Sequence, residues 1–352
     1  MDRLHPFAEV ARTLGQNAEA VCRAYLPKGR LQGRYWTCGD VMGTPGRSLY
    51  VRLFDPRPGR WTDAASGEYG DLLDLIARNR GLGAREALEE ARAFLRLPSV
   101  PVSPLGQARV RERESPGLGE AVKAACRLFA ASRPIRGTLA EWYLRGRGIL
   151  LPPDLRALRF HPHCHVRTPS GCQDWPALIA AVTGLDGAIT GLHRTYLDPR
   201  GGGGGASGKA PLETPRKSRG RLLGQAVRFG RARDVLLAGE GIETVLSVRS
   251  VLPTLPMVAA LSAGHLAALL VPGRVRRLYV AQDNDPPGRR AAGRLVDRAK
   301  ATGIEARPLS PRFGDFNDDL RLLGPGVLYA GLLGQLAPED REPLPPAWGE
   351  GA

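Results

Sequence analysis

The stretches VLLAGEGIETVLSVRSV (235–251), RRLYVAQDNDPPGRRAAGRLVDRAKATG (276–303) and EARPLSPRFGDFNDDLRLL (305–323) decide the fold. Each opens on a short apolar run and passes into a segment of helical periodicity. PMVAAL and AGHLAALL repeat that order between the first two. Apolar strands alternating with helices predict an α/β domain built on a parallel sheet flanked by helices. Three acidic groups fall just past the expected strand ends: Glu240, then Asp283-Asn284-Asp285, then Asp315-Phe316-Asn317-Asp318-Asp319. Ligands of open α/β sheets gather there. In an extended segment Asp283 and Asp285 share a side. Carboxylates gathered without clustered His or Cys form a hard-oxygen set suited to Mg2+ or Mn2+ completed by water and phosphates. Plainer roles stand beside this one. Asp285 before Pro286-Pro287 is a good helix N-cap, Glu243 in a first turn suits the helix dipole, and Asp315 to Asp319 can cap the next helix.

In this order, Gly239-Glu240-Gly241, Asp283-x-Asp285 followed by Pro-x-Gly-Arg-x-Ala-Ala, and Asp315-Phe-Asn-Asp318 resemble the Toprim domain. That domain is shared by bacterial-type DNA primases, topoisomerases, recombination proteins and some nucleases. The version here is most similar to that of plasmid- and phage-borne primases and primase-helicases, and covers about 234–323. The resemblance implies that Glu240 serves in metal binding or general acid/base work, and that Asp283 and Asp285 hold the metal ions. Asp315 takes the third acidic position, with Asp318 the weaker candidate. Nucleotidyl transfer needs metal ions to bridge phosphates, activate the attacking hydroxyl and neutralise the leaving pyrophosphate.

The whole chain has 352 residues and carries 50 Lys+Arg against 35 Asp+Glu, a net charge of +15. That length allows two or three domains. The charge points to a polyanion such as nucleic acid. Only five of the cations are Lys; a GC-rich genome also favours Arg, so the net charge weighs more than the bias. No apolar run approaches a membrane span, and MDRLHPFAEVARTLG lacks a secretory h-region. Five scattered cysteines (Cys22, Cys38, Cys126, Cys164, Cys172) form no disulfide framework and fit a reducing cytoplasm.

Composition divides the chain. Residues 1–97 read as one module, 98–118 as a Pro/Ser-rich linker, 119–232 as a basic α+β subdomain, 233–325 as the Toprim domain, and 326–352 as a C-terminal tail, poorly ordered from Pro338 onward. Segment 119–232 holds 18 bases against 7 acids, so most of the excess charge lies there. Within it GGGGGASG (201–208) reads as a flexible loop, and PALIAAV, a Gly184–Gly187 turn and AITGLHRTYL read as a hairpin. Lys209, Arg216, Lys217, Arg219 and Arg221 suit a phosphate-tracking groove, as do His193 and Arg194 on the hairpin and Arg289 in the Toprim helix. A solvated basic loop and a half-buried His193 are the plain alternatives.

Bacterial-type primases begin with a zinc ribbon, and RYWTCGD, SLYVRLF and GRWTDAASGEYGDLLDLIA are similar to its outline. Of the ligands only Cys38 remains, and Thr62 to Ala65 stand where a second pair is expected, so this module is read as zinc-free. His161, His163, Cys164, His165 and Cys172 are dense but match no standard zinc spacing, and are read as local polar packing. The resemblance implies a cytoplasmic, monomeric, primase-like nucleotidyltransferase of a mobile element, joining ribonucleotides on single-stranded DNA with Mg2+ or Mn2+. No G-x-x-x-x-G-K-[ST] motif occurs, so any helicase motor is a separate partner. A Toprim nuclease and a non-catalytic DNA-binding factor are the alternative readings.

Overall fold

The computed structural model describes residues 6–55, 58–63, 68–97, 118–152, 155–168, 171–200 and 208–345. Most of the expected linker, the glycine run 201–207 and the final residues 346–352 lie outside them, as do Ala64 and Ala65. The chain divides into two compact units, residues 1–119 and 120–352.

The first unit opens with α1 (Pro6–Gln16) and α2 (Ala18–Tyr25). A single helix is the sequence expectation from His5 to Tyr25; the structure breaks it at Asn17. Both the main-chain N–H and the side-chain amide of Asn17 donate to the Thr13 carbonyl, and its ψ of 27° leaves the helical range. Strands β1 (Arg30–Gln32), β2 (Tyr35–Cys38), β3 (Leu49–Arg52), β4 (Trp61–Asp63) and β5 (Tyr69–Gly70) form an antiparallel meander in that spatial order. Asp71 then caps α3 (Leu72–Arg80) through a capping box with Asp74, and α4 (Ala84–Phe94) follows. Trp36, Leu49, Val51 and Trp61 from the sheet share one core with Val10, Leu14, Leu75 and Ile76 from the helices. Cys38 is buried, and its thiol lies 3.2 Å from the Asp40 carbonyl oxygen.

The second unit begins with α5 (Leu118–Ala131), β6 (Arg133–Pro134) and α6 (Leu139–Arg145). The predicted hairpin is present as β8 (Gly171–Thr183) and β9 (Ile189–Tyr196), but it sits in a larger antiparallel sheet. That sheet runs β10-β9-β8-β7-β6, with β7 at Leu158–Thr168 and β10 at Arg216–Gly220. The stretch from His161 to His165 belongs to the long strand β7, with a register shift between His161 and Cys164 where it pairs with β8. The basic run from Arg216 is an edge strand, not a solvated loop.

The Toprim-type sheet follows, in the order β11-β13-β12-β14-β15: β11 Val227–Phe229, β12 Val235–Gly239, β13 Met257–Ala259, β14 Arg277–Ala281 and β15 Glu305–Leu309. Strands β13, β12, β14 and β15 are parallel, and β11 is an added antiparallel edge. Helices α7 (Ile242–Val251) and α10 (Phe316–Leu333) cover the face carrying Leu237 and Tyr279. Helices α8 (Ala263–Ala267) and α9 (Pro286–Ala301) cover the face carrying Leu236, Ala238, Leu278 and Val280. Ile135, Tyr143, Leu144, Leu178 and Ala180 from the preceding sheet and helices join the first of these cores. Residues 119–232 and 233–325 thus share one apolar interior.

The expected tail beyond 326 is also corrected, since residues 326–345 are packed. Helix α10 changes direction at Gly324 (φ 79°, ψ 169°) and Pro325, and its second half buries Leu328 and Leu332. Beyond it Arg277 donates to Asp340 (2.7 Å) and Glu339 (2.5 Å), and Tyr279 Oη donates to Asp340 (2.6 Å). The Glu342 carboxylate accepts from the main-chain N–H groups of Thr254 (3.0 Å) and Leu255 (3.2 Å). Deleting residues 334–352 leaves Arg277 and Tyr279 without these partners. It is expected to cost about 3 kcal/mol or more, read as a lower midpoint in urea unfolding.

Candidate active site

The parallel strands β12 and β14 end side by side at Gly239 and Ala281, and an acid follows each end. Glu240 comes directly after β12, half-buried, and its carbonyl accepts the Leu261 N–H at 2.8 Å. Leu261 holds φ at +79°, a left-handed conformation that costs a leucine roughly 1–2 kcal/mol, at the matching end of β13. After β14 the chain turns through Asp283-Asn284-Asp285 into α9. The Asn284 N–H donates to the Gly314 carbonyl (2.8 Å), which ties this turn to the loop bearing Asp315. Gly288 is needed here: a Cβ on it would lie 2.8 Å from the Asp283 carbonyl oxygen and 2.9 Å from its Cβ.

The plain capping roles and the metal role turn out to be compatible. Asp285 is the N-cap of α9, accepting from Gly288 N at 2.7 Å, and Asp315 is the N-cap of α10, accepting from Asp318 N at 2.8 Å. Asp319 is spent on the loop, accepting from Arg312 N and Phe313 N at 2.8 Å each. Asp283 has no such duty. Its Oδ1 is buried and accepts no hydrogen bond from the described residues. Burial, then the charges of Asp315 and Asp285, push its carboxyl up to about 7, against the opposing influence of Arg216. Asp318 is also raised, by burial and by Asp315.

Among the described residues no three His, Cys, Asp or Glu side chains converge into a ready-made metal cage. A Mg2+ site needs fewer, since one or two carboxylates plus substrate phosphates and water suffice. An unpartnered, buried carboxylate oxygen whose ionisation is opposed by neighbouring carboxylates fits such a cation. Asp283 would hold it, with Asp285, Asp315 or Glu240 completing the set.

The basic residues do not form one group. Strand β10 pairs with β9 so that Arg216 faces Thr195, Lys217 faces Arg194 and Ser218 faces His193. Alternation therefore places Arg216 and His193 on the face that joins the Toprim core, and Lys217, Arg219 and Arg194 on the other. His193 is buried, its Nδ1 lies 2.7 Å from Ser218 Oγ, and burial followed by Arg216 lowers its pKa to about 3. Its place is the interior, as the plain alternative held. Arg194 stacks near the Tyr196 ring (5.8 Å), and Lys217 is lowered by burial and by Arg194 opposite. Arg219 and Arg221 are exposed, and Arg289 folds back on the acidic turn, donating to the Asn284 carbonyl (2.9 Å) and Oδ1 (2.8 Å).

Lys209 and Arg216 do reach the site, through Glu243, to which the sequence gives only a helix-dipole role. Glu243, 8% exposed on α7, lies 3.8 Å from Lys209 Nζ and 3.9 Å from Arg216 Nη2, and accepts from Tyr143 Oη at 2.5 Å. Burial alone would raise its pKa, yet Arg216, Lys209 and the tyrosine hydroxyl outweigh it and hold the carboxyl well below its ordinary value. Burial brings Lys209 down to about 8, despite Glu243. Next to this network Thr244 Oγ1 donates to Asp315 Oδ2 (3.3 Å), and Arg147 and Asn317 exchange hydrogen bonds of 2.8 and 3.0 Å. No sequence motif flags Glu243 or Tyr143; a buried acid beside a distant basic run is visible only once the strands are paired.

The other histidine-rich stretch makes a different arrangement. His163 Nδ1 and His165 Nδ1 lie 3.1 and 3.4 Å from the two oxygens of Asp174, while Cys164 is buried on the opposite face of β7 and Cys172 is exposed.

Two family profiles match the chain: a domain of unknown function (DUF7146) over residues 119–229 and the Toprim domain over residues 235–326. Comparison with curated proteins finds no match. Among solved structures, the zinc-binding and RNA polymerase domains of the Aquifex aeolicus primase are similar over 95% of this chain and 86% of that one, at 16% identity and TM-score 0.41. A DNA primase domain from Pseudomonas aeruginosa is similar over 61% of this chain and 78% of that one, at 16% identity and TM-score 0.41. The primase fragment of the bacteriophage T7 primase-helicase is similar over 54% and 72%, at 15% identity and TM-score 0.36. With acids at adjacent ends of its parallel strands, and with that profile matching it, the segment 235–326 is a Toprim domain.

Proposed function

We propose that this protein is a primase-like nucleotidyltransferase, joining ribonucleotides on single-stranded DNA with Mg2+ or Mn2+ at the Asp283 cluster. The observation that carries the reading is the buried, unpartnered Asp283 Oδ1, pressed by Asp285 and Asp315 and faced by the charge of Arg216. A divalent cation bound there would neutralise the carboxylates and the phosphates they approach. Asp283 and Asp285 would hold it, with Asp315 and Asp318 beside them. Glu240, half-buried at the end of β12, would take the proton of the attacking hydroxyl. Arg216 keeps 45% of its side chain exposed although Glu243 lies beside it, so it can still meet a phosphate. Lys209, at 15%, works from deeper in the same network. The exposed Arg219 and Arg221 would track a strand's backbone by charge. Zinc has no part in this reading, and a helicase, where one acts, is a separate partner. Among the described residues no helix is long and apolar enough to cross a membrane.

The test is incubation with single-stranded DNA, labelled ribonucleotides and Mg2+ or Mn2+, beside a Glu240→Ala variant. Labelled oligomers from the wild type, lost in the variant, are the expected result. Shortened template in their place would make the protein a Toprim nuclease. Retention on DNA with no product would make it a binding factor.

A further inference from the structure

A cleft of about 450 Å³ opens in the second unit, bordered by Leu236 and Val258. Leu236 is near the start of β12, whereas the carboxylates follow its end. The strand's five residues put roughly 15 Å between the two places. Four arginines line the cleft: Arg156, Arg228, Arg231 and Arg274, with Asp186 the one acid among its lining residues. They come from separate places in the fold: the loop before β7, strand β11, the turn after it and the loop before β14. Four guanidinium groups around one cleft repel each other and concentrate positive potential in it. Asp186 keeps its negative charge while its Oδ1 accepts the Ala188 N–H at 3.0 Å, so one carboxylate stands against the four guanidinium groups of the lining.

Arg228 is the telling member. It is half-buried, its Nε donates to the Thr183 carbonyl at 3.4 Å, and its Nη2 is buried with no hydrogen-bond partner among the described residues. A buried N–H donor left unmatched is costly, and more so on a charged group. An anion's oxygen would satisfy it. Leu185, 52% exposed, and Pro272 supply an apolar lip beside the arginines, which suits a flat ring. Guanidinium forks match phosphate oxygens, and several converging on one point favour a group carrying more than one negative charge.

We propose that this cleft is a second phosphate site, separate from the acidic cluster, that takes the polyphosphate of a free nucleotide and rests the base on Leu185. Arg228 grips from within and Arg231 and Arg274 close the rim. The site does not depend on the reaction proposed for Asp283.

The probes are GTP and inorganic tripolyphosphate, added to the full chain in EDTA so that metal-dependent binding is silent. Calorimetry is expected to show one site, with thermal unfolding raised by several degrees. Arg274→Ala and Arg231→Ala, both exposed positions, should each weaken binding about tenfold, and Arg228→Met should abolish it. The rim variants decide the matter should Arg228→Met not fold. Unchanged binding in the rim variants overturns the proposal, as does loss in Arg216→Ala with the cleft variants unaffected, or no binding at all. A single-stranded oligonucleotide with a 5′-hydroxyl tests the other source of phosphate. If it displaces tripolyphosphate while GTP does not, the cleft serves a strand's backbone and the free-nucleotide assignment fails.

Discussion

Asp283→Asn is expected to remove metal-dependent activity while making the metal-free protein more stable. The loss should be at least about 10³-fold, since metal-ion stabilisation is worth several kcal/mol and each 1.36 kcal/mol is a factor of ten. The gain follows from the sign of the shift. Asp283 titrates at about 7 in the fold against 3.8 when unperturbed, so its ionisation is disfavoured on folding. That contribution to stability is full below about pH 4 and is lost as the pH rises through 7. At face value the penalty at pH 8 is about 4 kcal/mol, an upper bound for a site partly open to solvent. The neutral amide removes it and should raise the melting temperature by about 5 °C at pH 8 and hardly at all at pH 4. Calorimetry in EDTA at the two pH values checks this. A variant less stable than wild type at pH 8 would show that Asp283 is a structural acid, and the metal assignment would lose its main support.

The second large effect is expected at Glu243. Glu243→Ala leaves Lys209 and Arg216 without their counter-charge and Tyr143 without its acceptor, at a cost of about 3 kcal/mol. Tyr143→Phe removes one hydrogen bond and should cost about 1 kcal/mol. Because the Glu243 carboxyl is held below its ordinary 4.5, its contribution is present above that value and lost as the pH falls below it. The gap between wild type and Glu243→Gln should therefore narrow on acidification below pH 4.5. Urea unfolding at pH 7 and pH 3.5 reads both effects. An equal gap at the two values would mean the residue acts by shape alone.

The acidic residues were legible in the sequence because their chemistry and position coincide. Each follows a short apolar run at the point where an α/β strand ends, and Asp285-Pro286-Pro287 announces the helix after it. The basic residues were not, because a list of cations does not say which face of a strand they occupy. Arg216 and Lys217 are neighbours in sequence, and a period of two sends them to opposite sides of one sheet. Glu243 was hidden differently. A first-turn glutamate is ordinary for a helix, and its partners lie at Tyr143, Lys209 and Arg216, reachable only through tertiary pairing. The packing after 326 was obscured by Gly324-Pro325-Gly326 and the proline-rich end, whose composition reads as loop although Asp340 has Arg277 and Tyr279 to meet.

The two matched segments, 119–229 and 235–326, are named as separate families, yet Leu178 and Ala180 of the first lie in the same apolar interior as Leu237 and Tyr279 of the second. A cut between them would open that interior to water and strand Glu243 on one side, with its cations on the other. Exchange of either segment alone between proteins would thus carry a folding penalty that exchange of both together would reduce. Leu328, Leu332 and Leu336, beyond the second segment, lie in that interior too, so the piece that must travel together runs on past residue 326.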